Sequence, residues 1–198
     1  MAIGLLPTMI SMVIGTILGL IAGYYGGKVD FVIMRLADVM LAFPSLLLAM
    51  VIMYTMGGGL VNIFIALSLV NWAGTARIVR SQTLSLKEAE YVEAARAIGV
   101  KTGRTIFRYI LPNCMGPIIV QTTLRIAATI SNTAALSFLG LGVKEPQPEW
   151  GALLSSGREF IRDSGYLATI PGVCIMLTIL ALNLLGDGLR DALDPRLK

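Results

Sequence analysis

The sequence predicts an all-α integral membrane protein with about five membrane-crossing helices. Three observations carry that expectation. Of 198 residues, 56% are hydrophobic and only 14% are charged, whereas a soluble domain carries roughly 25% charged residues. Long charge-free intervals alternate with short charged ones. The longest polar interval, from Leu84 to Pro112, reads as amphipathic helix and collects basic residues.

The first charge-free interval, Met1 to Gly27, lacks the basic start of a cleaved leader. Ile3 to Ala22 is predicted as the first span, since about 20 apolar residues cross the hydrocarbon core. Gly15, Gly19 and Gly23, with Gly27 in the same register, repeat every fourth residue. Such a strip lets a second helix approach closely, from this chain or from another subunit. Tyr24 and Tyr25 suit the interfacial aromatic belt. Lys28 to Asp38 then reads as a short polar link. Val39 to Met56 and Leu60 to Ala76 are the next spans, divided by Gly57, Gly58 and Gly59, and Pro44 introduces a kink in the first of them.

Within the polar interval, Ser85 followed by Glu88 is a capping-box pattern. Tyr91, Ala94, Ala95 and Ile98 form one apolar stripe at helical spacing. Gly99 stands where a left-handed C-terminal residue is wanted. Thr102 is a candidate cap for a second helix with Ile106, Phe107 and Ile110, and Pro112 marks its end or the start of the next element.

Met115 to Leu136 is the fourth predicted span. It contains Arg125, the one charged residue at membrane depth. A charge there costs on the order of 2.5–3.5 kcal/mol on insertion scales. No acid lies in any predicted span, so Arg125 is expected to face a translocation path, a carboxylate of a partner subunit, or water and backbone carbonyls. Ser137 to Gly165 is a second polar interval, irregular at Pro146 and Pro148, with Trp150 as an interfacial anchor and a short helix closing over Glu159 to Asp163. Ser164 to Gly186 is the fifth span, and residues 187–198 form a polar tail.

Five spans place Lys28, Arg35, the seven basic residues from Arg77 to Arg108, Arg190, Arg196 and Lys198 on one side, twelve in all. Lys144, Arg158 and Arg162 fall on the other. The positive-inside rule puts the larger group, the polar interval and the C-terminus in the cytoplasm. The net charge of +4 therefore reports topology. No basic stripe interleaves with aromatics, so the expected surroundings are membrane lipid and nucleic acid is not an expected partner. Cys114 and Cys174 have neither disulfide nor metal spacing and are expected to pack or face lipid. With no histidine, neither Ser-His nor Cys-His pairs nor His-based metal sites exist. No P-loop is present, and no cofactor or metal is expected.

One spacing is specific. Glu93-Ala94-Ala95, three residues, Gly99, nine residues, then Tyr109-Ile110-Leu111-Pro112 resembles the EAA loop of ABC-importer permeases. The family often has Ile where Tyr109 stands. Ser137 to Gly142 (SFLGLG), Pro148 to Gly151 (PEWG) and Asn183 to Leu197 resemble the dipeptide, oligopeptide and nickel branch; Ile21 to Gly27 and Arg35 to Ala49 are also similar. The resemblance covers nearly the whole chain. It implies a single permease domain, residues 1–198, of the type I importer core in a bacterial or archaeal inner membrane. It also implies a second permease subunit, ATP-binding subunits that hydrolyse ATP, and an extracytoplasmic solute-binding protein. Residues 84–112 become the cytoplasmic coupling loop, with Glu93, Ala94, Ala95, Gly99, Leu111 and Pro112 as the ATPase-docking set; residues 137–165 become an outer loop. Such subunits usually begin with one more membrane helix, so Met1 is expected to be an internal start or the chain a shortened member. A lone channel or secondary transporter is the alternative, but such proteins often show repeats and intramembrane acids. An intramembrane enzyme lacks a catalytic set here, and a membrane scaffold is a further alternative.

Overall fold

The computed structural model describes residues 2–143 and 147–193. Among the described residues there are nine α-helices, a π turn and a 3₁₀ turn, and no strand. The helices are α1 (Ala2–Tyr25), α2 (Gly27–Ala42), α3 (Ser45–Met56), α4 (Leu60–Leu86), α5 (Glu90–Ala97) and α6 (Thr102–Thr105). A π turn (Ile106–Ile110) leads into α7 (Leu111–Phe138), followed by α8 (Trp150–Gly157), a 3₁₀ turn (Arg158–Phe160) and α9 (Tyr166–Leu193).

Three helices among the described residues are long and apolar enough to cross a membrane alone: α1, α4 and α9. The pair α2 and α3 makes a fourth span only if counted together, because the two meet at 91°. α7 is as long as α9, at 28 residues. It is more polar, since Thr122, Thr123, Arg125, Thr129, Asn132 and Thr133 all lie within it.

The α1–α4 pair is the centre of the bundle. The glycine strip packs inside the chain. A Cβ on Gly15 would stand 2.6 Å from the Trp72 carbonyl oxygen, and one on Gly19 2.5 Å from that of Ala76. On Gly23 it would stand 2.9 Å from the Arg80 carbonyl oxygen. Backbone meets backbone along three turns, which only residues without side chains allow. Gly27 leaves the strip: with Gly26 it turns the chain at positive φ into α2.

Two predicted boundaries change here. Lys28 to Asp38 is helical, not a link, and belongs to α2. Its acids are matched by bases on α4: Asp30 takes a two-pronged ion pair from Arg80, and Asp38 receives Arg77 at 2.7 Å. Paired charge can lie along a helix packed on another, so this run of charges does not mark a loop. Val39 to Met56 is not one span either. Pro44 breaks it: Phe43 is extended (φ −99°, ψ 142°), as a residue before proline is driven to be. α3 alone has 12 residues, about 18 Å of helix, which is short of the hydrocarbon thickness.

α9 extends through Gly186 to Leu193, so the first part of the expected tail is helix. Its outer faces are exposed at Leu177, Leu180 and Leu184. Positions 144–146 and 194–198, with Lys144, Pro146, Arg196 and Lys198, lie outside the described residues.

The glycine seam yields a stability prediction. Gly19→Val is expected to destabilise the detergent-purified protein by about 1–3 kcal/mol through overpacking, read as a lowered thermal midpoint. Gly188→Ala, where a Cβ meets open space, is expected to change stability by no more than about 0.5 kcal/mol. Equal midpoints for the two variants would show that α1 and α4 do not need this close approach.

Candidate functional site: an exposed helix at the basic end of the bundle

The polar interval is built onto α4. That helix runs ten residues beyond Ala76 and ends at Leu86, so Ser85 sits inside it and no capping box forms. α5 begins instead at Glu90, after Ala89 in extended conformation without a side-chain cap. Glu90 and Glu93 occupy its first turn and Arg96 its last, each placed favourably for the helix dipole.

The end of α5 is set by Gly99 at φ +79°. The Gly99 N–H donates to the Arg96 carbonyl at 2.9 Å, and the Val100 N–H to that of Ala95 at 3.0 Å. This pair of bonds is a Schellman cap, which needs a residue in the left-handed region. Lys101 precedes the next helix and Thr102 is its first residue, so Thr102 does not cap it.

Pro112 does not end that helix. α6, the π turn and α7 follow one another without a break from Thr102 to Phe138. Proline has no N–H and its ring crowds the carbonyl four residues back, here that of Arg108. The π turn lies just ahead of it: the Leu111 N–H donates to the Ile106 carbonyl, a wider turn that accommodates the proline. The Asn113 side chain donates to the Tyr109 carbonyl at 2.6 Å.

α5 is held by a small apolar cluster. Val92 is fully buried with Val79 of α4, Leu20 of α1, and Ile110, Cys114 and Ile118 of the long helix beyond it. Arg96 lies over the Tyr24 ring at 5.2 Å. Ala95 is buried on the same side. The predicted apolar stripe is therefore split. Ala95 faces inward, joined by Val92, which the stripe omits, while Ala94 is exposed. Tyr91 is 43% and Ile98 80% exposed. Glu93 and Gly99 are exposed as well, and Glu93 has no ion-pair partner among the described residues. Pro112 is exposed beside half-buried Leu111. Glu93, Ala94 and Gly99 thus share a solvent-facing surface with two large apolar side chains, while Ala95 and Leu111 help to seat it.

At the opposite end, the SFLGLG and PEWG stretches fit against each other. Gly140, at φ +80°, closes α7 with a second Schellman cap: its N–H donates to Ser137 and that of Leu141 to Leu136, both at 3.0 Å. Gly142 is pressed against Ser137 with no room for a side chain, and a Cβ on Gly151 would stand 2.7 Å from the Ala134 carbonyl oxygen. Glu149 caps α8 by accepting the Ala152 N–H at 2.8 Å. Trp150 is half-buried at the start of α8, beside a cavity of about 220 Å³ that includes Ile130 and Ile175. The expected short helix at 159–163 is reduced to the 3₁₀ turn at Arg158–Phe160 and the turn after it.

Arg125 lies between α7 and α4. Its Nη1 donates to Asn71 Oδ1 at 3.5 Å, a long contact, and a Cβ on Gly74 would stand 2.6 Å from its Nη2. Its buried Nε has no partner among the described residues. Around it runs a line of hydroxyls and amides. The Thr129 hydroxyl donates to the Arg125 carbonyl at 2.8 Å, Asn71 Nδ2 donates to Thr129 Oγ1 at 3.4 Å, and Thr8 Oγ1 stands 3.0 Å from Thr129 Oγ1. Sequence spacing finds Arg125 but not its seat; the signal for it is Gly74 within the small-residue run Ala73 to Ala76 of α4.

The cap at Gly99 is testable by amide exchange. Gly99→Ala forces a side chain into the left-handed region at a cost of about 1–2 kcal/mol and is expected to speed exchange across Val92 to Val100. Gly103→Ala, in a helix with open space around it, is expected to leave those amides as protected as before. Unchanged protection in Gly99→Ala would mean that tertiary packing, not the cap, fixes α5.

Residues 15–198 match the family described as the binding-protein-dependent transport system inner membrane component. The dipeptide transport system permease protein DppC of Alkalihalophilus pseudofirmus is 52% identical over 95% of the chain and 62% of its own length. The glutathione transport system permease protein GsiD of Pectobacterium atrosepticum is 46% identical over the full chain and 66% of its own length. The di/tripeptide transport system permease protein DppC of Pseudomonas aeruginosa is 47% identical over 99% of the chain and 65% of its own length. The chain therefore spans less than two thirds of the length of these relatives. Among solved structures, a chain of an amino acid ABC transporter crystallised with histidines superposes with a TM-score of 0.66 at 16% identity, covering 98% of this chain and 88% of that one. That likeness establishes the helical fold. With its apolar helices and the match over residues 15–198, the chain is a multi-pass membrane protein that belongs to the binding-protein-dependent transport system inner membrane component family.

Proposed function

We propose that the chain is the permease subunit of an ATP-driven importer for peptides or related small solutes, and that α5 is where the ATPase docks. The observation that carries this is the split of α5 into an anchored side, Val92 and Ala95, and an exposed side, Glu93, Ala94, Tyr91 and Ile98. Large apolar residues left in water on a charged, capped helix favour a protein partner. The relatives' names, dipeptide, di/tripeptide and glutathione permeases, support the substrate class. On this proposal the chain holds no chemistry of its own. ATP is hydrolysed on separate subunits, a second permease completes the path, and a solute-binding protein delivers from outside. The basic end of the bundle, with the C-terminus, lies in the cytoplasm by the positive-inside rule.

The mechanism is mechanical. Motion of the ATPases shifts α5, and α4 and the Thr102–Phe138 helix transmit the shift into the bundle as a rigid-body change. Gly15, Gly19 and Gly23 keep α1 moving with α4, and Arg125 borders the path.

Co-purification in mild detergent with the co-expressed transporter subunits tests the docking. The ATPase is expected to accompany the original chain and to be lost at least about tenfold from Glu93→Lys, which reverses a charge-assisted contact. Equal recovery from both would place docking elsewhere.

A further inference from the structure

At the basic end of the bundle, α4, α7 and α9 enclose an open cavity of about 760 Å³, within the size range of small-molecule sites. The glycine seam fixes its depth in the membrane. A Cβ on Gly23 would stand 2.7 Å from the Thr83 side chain. Gln82, the neighbour of Thr83, lines the cavity and is therefore level with Tyr24 and Tyr25. Tyrosines at a helix end mark the headgroup layer, so one end of the cavity lies in that layer.

From that level inward the lining changes character. Gln82, Asn113 and Arg190 form its polar end. Ile78 follows one turn further in along α4, and Val120 and Leu124 follow about two and about three turns beyond Asn113 along α7. Gln121 is the one polar side chain among these deeper lining residues. The deep end is shut where α7 meets α9: a Cβ on Gly186 would stand 2.7 Å from Leu124 Cδ2. Arg190 comes one turn beyond Gly186 on the same face of α9, at the level where the two helices leave the cavity between them. A Cβ on Gly116, in the α7 wall, would meet nothing within 4 Å. No acid among the described residues lines the cavity. Asp187 and Asp191 flank Arg190 in sequence, but both are exposed and neither is part of the lining.

A positive, polar mouth in the headgroup layer, continued by an apolar slot into the hydrocarbon, has the profile of a phospholipid. We propose that the cavity is a binding site for an anionic phospholipid of the leaflet at the basic end, with Arg190 holding the phosphodiester and an acyl chain lying along Gly116, Val120 and Leu124. A guanidinium binds phosphate through paired N–H groups, and basic pockets between membrane helices suit acidic headgroups. The Asn113 amide nitrogen donates to the Tyr109 carbonyl, which leaves its oxygen to accept from a headgroup hydroxyl. The apolar slot favours a lipid over a soluble phosphate, which would leave the slot unfilled. The lipid would sit as a wedge between α9 and the foot of the continuous Thr102–Phe138 helix. This goes beyond the importer proposal and stands without it.

The test uses the detergent-purified full chain, freed of co-purified lipid. It is titrated with dioleoyl phosphatidylglycerol or dioleoyl phosphatidylcholine, and bound lipid is counted by native mass spectrometry. The two lipids share the phosphodiester and the chains, but only the first has a net negative charge and headgroup hydroxyls. The original is expected to prefer phosphatidylglycerol about fivefold, the worth of one basic residue at an anionic surface. Arg190→Gln is expected to erase that preference. Gly116→Leu, which fills the slot and leaves Arg190 in place, is expected to weaken both lipids about tenfold, equivalent to about two methylenes left unburied. No preference in the original, a preference unchanged in Arg190→Gln, or binding unchanged in Gly116→Leu overturns the inference. So does displacement of phosphatidylglycerol by an equal concentration of glycerol 3-phosphate, which would mark a soluble-anion site, or of a dipeptide, which would assign the cavity to a transport path.

Discussion

The structure depends on backbone contact between α1 and α4. Inside a bilayer, helices gain little by hiding apolar surface from one another, since lipid is equally apolar. What holds a pair is close packing. Glycines at 15, 19 and 23 let α1 lie against the carbonyls of Trp72, Ala76 and Arg80, so that α4 is gripped along three turns. A helix gripped at its middle can project beyond the bundle without losing direction, and α4 does so as far as Leu86. Asp30 and Asp38 add ion pairs from α2 to the same gripped stretch, at Arg80 and Arg77.

Everything at the basic end inherits its position from that projection. Val92 enters a cluster made by α1, α4 and the start of the long helix, so α5 is seated against all three at once. The cap at Gly99 turns the chain back toward the bundle, and the π turn lets it re-enter across Pro112 without a break. The exposed residues of α5 are displayed by a rigid base rather than by a loop.

Much of this is legible in the sequence, and the failures share one cause. The Glu93-to-Pro112 spacing, the left-handed Gly99, the glycine strip and the isolated Arg125 depend on local chemistry or on fixed intervals, which a sequence displays directly. The missed features depend on a partner far along the chain. Lys28 to Asp38 resembles a loop because Arg77 and Arg80, which neutralise its acids, lie 39 and 50 residues away from them. The apolar stripe of α5 runs through Tyr91 and Ile98 by spacing alone, whereas the tertiary cluster selects Val92. Ser85 and Glu88 fit a capping pattern, yet α4 continues through Ser85 because its packing outweighs a local cap. Pro44 is legible as a disturbance, but the size of the bend is not.

The unbroken passage from Thr102 to Phe138 has a mechanical meaning. At 1.5 Å per residue Arg125 stands about 20 Å up the shaft from Leu111. A shaft of that length turns a small tilt at its foot into a larger sideways sweep near its middle. The wide turn at Ile106–Ile110 loosens the standard helical bonding at the foot of this shaft, and Pro117, which has no N–H to donate, loosens it again below Arg125. Compliance at those two places would decide how much of a tilt at the foot reaches the guanidinium and how much is spent locally.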